Sequence, residues 1–340
     1  SVVRRQRQMC IRDRVMADQT MSSNEHPELG KTIQSLQILM KELKKYYFAS
    51  DSFYRSFLSC YFSGGHLLIE GPPGTGKTHF AKTLSRLLSQ KFKRIQFTPD
   101  LMPSDIVGAQ LYNPKEQNFN FVPGPVFANI LLADEINRAP ARTQSALLES
   151  MEERQVTVDG NKYELSDDFF VVATQNHQEF EGTFALPEVQ LYRFFMLLKV
   201  DHGSAEEEFS LVKANIEGQL PPDYSSLKTL DLGISELKKS FASVKVDESI
   251  IHYAVKIVRS LRENPAISFG SSVRGTMSLV KGARVLACIS GRSFVIPDDI
   301  KELAVPVLRH RLQLSPEARL AQMDESNLIE QVLSSVPLPS

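Results

Sequence analysis

Three short stretches of the chain combine residue types and spacings that could do chemistry. The first, Gly71, Pro72, Pro73, Gly74, Thr75, Gly76, Lys77 and Thr78, fits the pattern G-x-x-x-x-G-K-[ST]. Glycines there let the backbone take conformations closed to other residues and turn its N–H groups inward on an anion. A following helix would aim its positive end at the same point. Lys77 then offers a point charge to the β- and γ-phosphates of a nucleotide, and Thr78 a hydroxyl to magnesium. Four constrained positions in 340 residues arise by chance in roughly one chain per hundred at ordinary residue frequencies. An apolar run at 66–69 enters the stretch and a helical pattern over 79–92 leaves it. That context favours a nucleoside triphosphate site over a Gly/Pro-rich surface turn.

The second stretch, residues 129–135, is an apolar run ending in Asp134 and Glu135. A carboxylate at the tip of a strand sits where an open α/β sheet places its ligands. Asp134 is suited to hold magnesium, and Glu135 to orient or deprotonate an attacking water. The third stretch, Thr174, Gln175 and Asn176, closes another apolar run, and the Asn176 amide could reach a γ-phosphate or the water. An acidic pair can also be a helix cap, and an asparagine after a strand is often only a turn residue. Two arginines complete the set. Arg193 stands in 186–195 and Arg274 near the start of a helical pattern. An arginine offered across a subunit boundary accelerates phosphoryl transfer by about 10³ to 10⁵ in known systems. The plain alternative for each is an exposed ion pair.

The elements that must position these residues can be read from periodicity. Apolar residues at three- and four-residue spacing predict a helix over 31–48, and a second is expected from Asp51 to Phe62. Strands are expected at 66–70, 94–98, 129–133, 169–174 and 194–199, with helices alternating between most of them. This is the pattern of an α/β fold with a parallel sheet of about five strands covered by helices on both faces. Two intervals depart from it, 111–127 and 155–165. In the second, Asp159-Gly160 lies between alternating flanks, a strong hairpin signal. From about residue 204 helical patterns dominate, at 205–217, 234–244, 247–264, 271–290 and 297–310, with a loop at 220–223. Pro306 should kink or shorten the last. The expected organisation is an α/β domain over 24–203, a smaller all-α domain over 204–322, and a frayed tail over 323–340.

Composition narrows the class. Hydrophobic content of 42%, charged content of 23% and a net charge of −1 are those of an ordinary globular protein with no global pull toward nucleic acid or membrane. Cys10, Cys60 and Cys288 lack metal or redox spacing, which suits reduced thiols in the cytoplasm. No apolar run approaches the roughly 18 residues that span a bilayer. Residues 1–14 are basic without an apolar segment behind them, and 1–23 are expected to be a disordered or non-native leader.

The residues at 70–78, 96–105, 129–152, 173–176, 181–183, 186–194 and 297–312 resemble the MoxR family of AAA+ ATPases. The run ADEINRAPARTQSALLESME at 133–152 is far more specific than an acidic pair alone. The likeness extends from about 24 to 320. It implies the P-loop NTPase (AAA+) fold with a helical lid, and a ring, usually a hexamer, that holds ATP and Mg2+ at subunit interfaces. It also implies that Asn176 is the sensor 1 residue, Arg193 the arginine finger and Arg274 the sensor 2 arginine. The two hairpins match inserts that in related machines face the pore and contact substrate. Expected partners are further copies of the chain and protein clients, with von Willebrand factor A proteins among them. Gly76, His177, Tyr192 and Val273 depart from residues frequent in the family, and Tyr192 removes a carboxylate that could steer Arg193. A remodelling ATPase is the expected function. A nucleic-acid-directed motor or clamp-loader-like ATPase is the alternative, which the hairpin charges (Lys115 and Lys162 against Glu116, Asp159 and Glu164) do not favour. A non-hydrolysing scaffold would not need Lys77, Asp134 and Glu135 together.

Overall fold

Aliphatic and aromatic runs with no polar side give three strands that are buried along both faces: β1 (Leu67–Glu70), β5 (Ile130–Asp134) and β8 (Phe170–Gln175). With β2 (Phe92–Gln96) and β9 (Met196–Lys199) they form one parallel sheet in the order β2-β5-β8-β1-β9. The computed structural model describes residues 27–339 except 48, 73, 177–182, 202–204, 219–223 and 225–226. The expected leader, Pro73, His177, Glu181, Gly182 and the 220–223 loop therefore lie outside the described residues.

The two-residue period of a strand sends alternate side chains to two different cores. Leu67, Ile69, Ile130, Leu132, Phe170 and Val172 join a cluster with α1 (Pro27–Tyr46), α2 (Asp51–Phe62) and α3 (Lys77–Leu87). Leu68, Leu131, Ala133, Val171 and Ala173 face the other way, onto Leu147, Leu148 and Met151 of α5 (Ala141–Glu153). Between β2 and β5 run a short helix, α4 (Pro103–Val107), and a hairpin of β3 (Gly108–Asn113) and β4 (Asn118–Pro123). A second hairpin, β6 (Gln155–Val158) and β7 (Asn161–Glu164), follows α5. Its turn has Asp159 at φ 49° and Gly160 at φ 80°, the positive pair that a two-residue hairpin turn requires. A one-turn helix, α6 (Glu188–Leu191), leads into β9.

After β9 the chain is mainly helical: α7 (Ala205–Ile216), α8 (Ile234–Ser240), α9 (Glu248–Arg262), α10 (Val273–Ile289) and α11 (Pro297–Leu308). The sheet-side cluster continues without a break into Tyr253, Ile257, Leu279, Ala283, Leu286 and Leu303 of these helices. Gly282 lets α10 lie close, since a Cβ there would stand 2.8 Å from Leu303 Cδ1. The lid thus rests on the α/β unit through an apolar core. No described helix is long and apolar enough to cross a membrane. Cys60 and Cys288 are free and buried, and burial pushes both thiols up in pKa, Cys288 to about 12.

Several expectations shift in register or character. The expected strand at 94–98 is β2 two residues earlier, because its ends are set by pairing Phe92 with Ile130 and Gln96 with Asp134. The cap of α2 is Ser50, whose side chain accepts from the Phe53 N–H, and Asp51 is already in the first turn. The lid carries one antiparallel strand pair outside the helical pattern, β10 (Ile267–Phe269) with β11 (Gln313–Leu314). α11 accommodates Pro306 and runs on to Leu308, two residues short of the expected end, before a 3-10 turn over Arg309–Arg311. Beyond a short helix, α12 (Pro316–Leu320), the tail expected to fray is instead a capped helix, α13 (Glu325–Ser335). Asp324 accepts from the N–H groups of Ser326 and Asn327, and Leu328, Ile329 and Val332 are buried on the lid.

Candidate functional site

The C-terminal tips of β1, β5 and β8 are neighbours in the sheet, so the three stretches singled out in the sequence converge. Gly71, Gly74, Thr75, Gly76, Lys77, Thr78, Asp134, Glu135, Thr174, Gln175 and Asn176 all line one cleft of about 470 Å³. Pro72 belongs to the same loop.

Local strain and contacts shape the loop. Gly74 and Gly76 have φ of 85° and 76°, which only glycine takes at little cost. Gly76 is the residue before α3, so the helix begins with its free N–H groups on the cleft. The Tyr47 hydroxyl donates to the Thr75 carbonyl at 3.0 Å, tying the loop to the end of α1. Burial pushes the Tyr47 hydroxyl up to about 12, with Glu207 adding to it, so it remains a donor. Lys77 Nζ donates to the carbonyls of Gly71 and Pro72 and to Thr75 Oγ1, at 3.2, 2.7 and 3.1 Å. Burial lowers its pKa, and Asp134 and Glu135 act against that shift. The ammonium is thus held in the cleft by weak, replaceable acceptors.

The acid pair is wired to two neighbouring strands. Thr174 Oγ1 donates to Asp134 Oδ1 at 2.6 Å and accepts from the Glu135 N–H at 2.9 Å. Arg94 Nη2 reaches Asp134 Oδ2 at 2.7 Å. Glu135 sits at φ 55°, ψ 51°, a left-handed conformation that costs a non-glycine residue about 1–2 kcal/mol. Its Oε2 accepts from Gln96 Nε2 at 2.8 Å and from Arg138 Nη1 at 3.0 Å. The Asn176 carbonyl accepts from Asn137 Nδ2 at 3.2 Å, and the residue lines the cleft.

The donor set fits the groups the motif calls for. Glycines with positive φ and a helix start offer N–H groups to phosphate, while one hydroxyl (Thr78) and one carboxylate (Asp134) suit magnesium, which takes few protein ligands and completes its shell with phosphate and water. Among the described residues no cluster of three or more metal-ligating side chains forms a separate metal centre.

Arg193 and Arg274 lie elsewhere. Both approach Glu152 of α5, Arg193 Nε at 3.1 Å and Arg274 Nη1 at 3.4 Å. They line a cleft with Arg154, Lys281 and Arg311 that shares no residue with the phosphate-loop cleft. The sequence reading missed five residues that hold these groups in place, Arg94, Gln96, Arg138, Tyr47 and Glu152, and named Thr174 without its role as the link between Asp134 and Glu135. A signal existed for two of them. Arg94 and Gln96 are polar at i and i+2 of a strand, so they share a face, but only the register with β5 brings them to the acids.

Comparison with known proteins agrees with this architecture. Residues 66–196 match the ATPase family associated with various cellular activities (AAA), and residues 259–332 match the AAA lid domain. The uncharacterized protein YeaC of Bacillus subtilis is 40% identical over 92% of this chain and 96% of its own length. Chaperone MoxR1 of Mycobacterium tuberculosis is 38% identical over 92% of this chain and 84% of its own. A crystal structure of an ATPase candidate from Cytophaga hutchinsonii superposes with a TM-score of 0.84 at 33% identity, covering 93% of this chain and 98% of that one. With the phosphate loop, the acid pair, the five-stranded sheet and the helical lid in their places, the chain belongs to the MoxR family of AAA+ ATPases.

Proposed function

We propose that this chain hydrolyses ATP in a ring of identical subunits, with the hexamer as the expected form, and uses the cycle to remodel protein clients. The observation that carries the reading is a division of labour. Lys77, Thr78, Asp134, Glu135 and Asn176 share one cleft, while Arg193 and Arg274 stand together in another. One chain therefore holds half of a catalytic site at each of two surfaces.

In this reading the loop N–H groups and Lys77 bind the β- and γ-phosphates, and Lys77 gives up the carbonyls of Gly71 and Pro72 to do so. Bound magnesium, held by Thr78 and Asp134, would neutralise charge on the phosphate oxygens. Arg94, itself half-exposed on the more buried Asp134, must swing away first, giving up one ion pair to the incoming metal. Glu135 leaves Gln96 and Arg138 to take the proton of the attacking water, and the Asn176 amide orients that water or the γ-phosphate. Arg193 and Arg274 of the adjoining subunit then meet the charge that develops on the γ-phosphate.

A chaperone-like role is supported by the relative named Chaperone MoxR1 and by the hairpin surface. On β3 and β4, Tyr112 and Phe119 share one face and are 54% and 68% exposed, and Leu111 on the opposite face is 55% exposed, apolar surface suited to polypeptide rather than to a phosphate backbone. The expected domain limits of 24–203 and 204–322 and a cytoplasmic location belong to the same proposal, as do von Willebrand factor A proteins among the clients.

The test is subunit mixing. Glu135→Gln and Arg193→Ala are each expected to lose ATP turnover by 100-fold or more (about 10³ for a finger) while still binding nucleotide. Mixed in equal amounts they should regain a substantial fraction of it, since some interfaces then hold an intact Glu135 opposite an intact Arg193. No recovery in mixed assemblies would overturn the shared site.

A further inference from the structure

Arg193 and Arg274 come from distant segments, the loop before β9 and the first turn of α10, yet they meet on a single carboxylate. Their backbones are already fixed. The Phe194 carbonyl, next to Arg193, accepts from His310 Nε2 at 3.0 Å and from Arg311 Nη2 at 2.9 Å, both on the turn that ends α11. Arg274 opens α10 behind the Ser272 cap. What remains free is the direction of two long side chains, 29% and 64% exposed. They face a cleft that also holds Arg154, Lys281 and the buried Arg311, so like charge would drive them apart. Glu152 is their side-chain partner, and among the described residues neither has another. It takes Arg193 through Nε and Arg274 through one terminal nitrogen, which leaves further N–H bonds on each guanidinium for an incoming anion.

We propose that Glu152 is a positioning residue that holds Arg193 and Arg274 as one two-armed clamp for the γ-phosphate of a neighbouring subunit's nucleotide. It supplies, from α5, the steering carboxylate that Tyr192 does not provide beside Arg193. The inference rests on the shared-site reading and adds to it that the two arginines act as a unit through this residue. Outer partners that orient metal ligands are commonly worth about 10- to 100-fold in activity, and a carboxylate that orients two guanidiniums is expected on the same scale.

The full-length chain is compared with Glu152→Gln, which keeps the shape and loses the charge, and with Glu152→Asp, which keeps the charge. For Glu152→Gln we expect kcat to fall about 10- to 100-fold, with the KM for ATP, ADP affinity by calorimetry and sedimentation of the assembly within about twofold. Glu152→Asp should recover part of the loss. In an Arg193→Ala background the Glu152→Gln change should cost less than threefold, because the two arms act as a unit and Arg274 alone no longer forms the clamp. Unchanged kcat in Glu152→Gln overturns the inference, as does the same fold-loss with and without Arg193, which would mark a merely structural effect. If Arg193→Ala alone leaves turnover intact, the shared-site reading fails and this inference with it. If Arg193→Ala is impaired and Glu152→Gln is not, only the role of Glu152 falls.

Discussion

At the level of single residues, the phosphate loop shows how a motif is enforced by its surroundings. Gly71 is required by more than flexibility, since a Cβ there would stand 2.0 Å from the Val200 carbonyl oxygen, which is backbone and cannot step aside. Gly76 has the positive φ and a milder contact, 2.9 Å from Cε2 of the Tyr47 ring. The two positions should therefore respond differently. Gly71→Ala is expected to destabilise the fold by several kcal/mol and to abolish nucleotide binding. Gly76→Ala should cost about 1–2 kcal/mol, the price of a left-handed alanine plus a small shift of Tyr47. Thermal unfolding of both variants checks this, and equal losses would contradict it. The motif itself was plain in the sequence. The reason for each glycine was not, because Val200 and Tyr47 are far away along the chain.

At the level of elements, the two hairpins form one unit. The Tyr163 ring of β7 stacks on Phe121 of β4 with centroids 3.9 Å apart, and its hydroxyl accepts from Gln110 Nε2 at 3.0 Å. Phe121 in turn packs edge-on against Phe127. The exposed Tyr112 and Phe119 lie on the same β3–β4 ribbon, which Tyr163 links to β6–β7. Tyr163→Ala should leave the sheet intact and raise amide hydrogen exchange in both hairpins together. Exchange rising only in β6–β7 would show that they are independent. Asp159-Gly160 betrayed the second hairpin from sequence, and alternating aromatics the first. Their docking depends on a pairing of Phe121 with Tyr163 that no local pattern encodes.

At the level of the whole molecule, two buried histidines join segments far apart in the chain. His66 Nδ1 accepts from the Val171 N–H at 3.0 Å, and its Nε2 lies 3.1 Å from the Met151 carbonyl. A proton on Nδ1 would break the first bond, and burial lowers the His66 pKa to about 4. Burial, followed by the charge of Arg311, lowers His310 to about 3. In the unfolded chain both return to about 6.5. The unfolded state then binds protons that the fold refuses, so stability is full above about pH 6.5 and declines as pH falls toward 4 and 3. At pH 5 the loss is on the order of 2 kcal/mol per histidine. The melting temperature should drop between pH 7.5 and 5, and less steeply in a His66→Gln, His310→Gln double variant. Identical slopes would rule out these two histidines as the cause.

The sequence alone was enough for the nucleotide loop, the acid pair, the five strands, both hairpins and the family. Each is written in local residue types: glycines that tolerate positive φ, apolar runs with carboxylates at their ends, and apolar period. What the tertiary structure decided is long-range. It brought Arg94, Gln96 and Thr174 onto the acids by strand register, turned the tail into a helix by offering it an apolar surface, and joined Arg193 to Arg274 on Glu152, away from the chain's own phosphate loop. Spacing along a chain fixes which way a side chain faces within its own element. Only packing fixes which other element it faces, and the placement of Arg193 and Arg274 in a different cleft from Lys77 and Glu135 is a fact of packing.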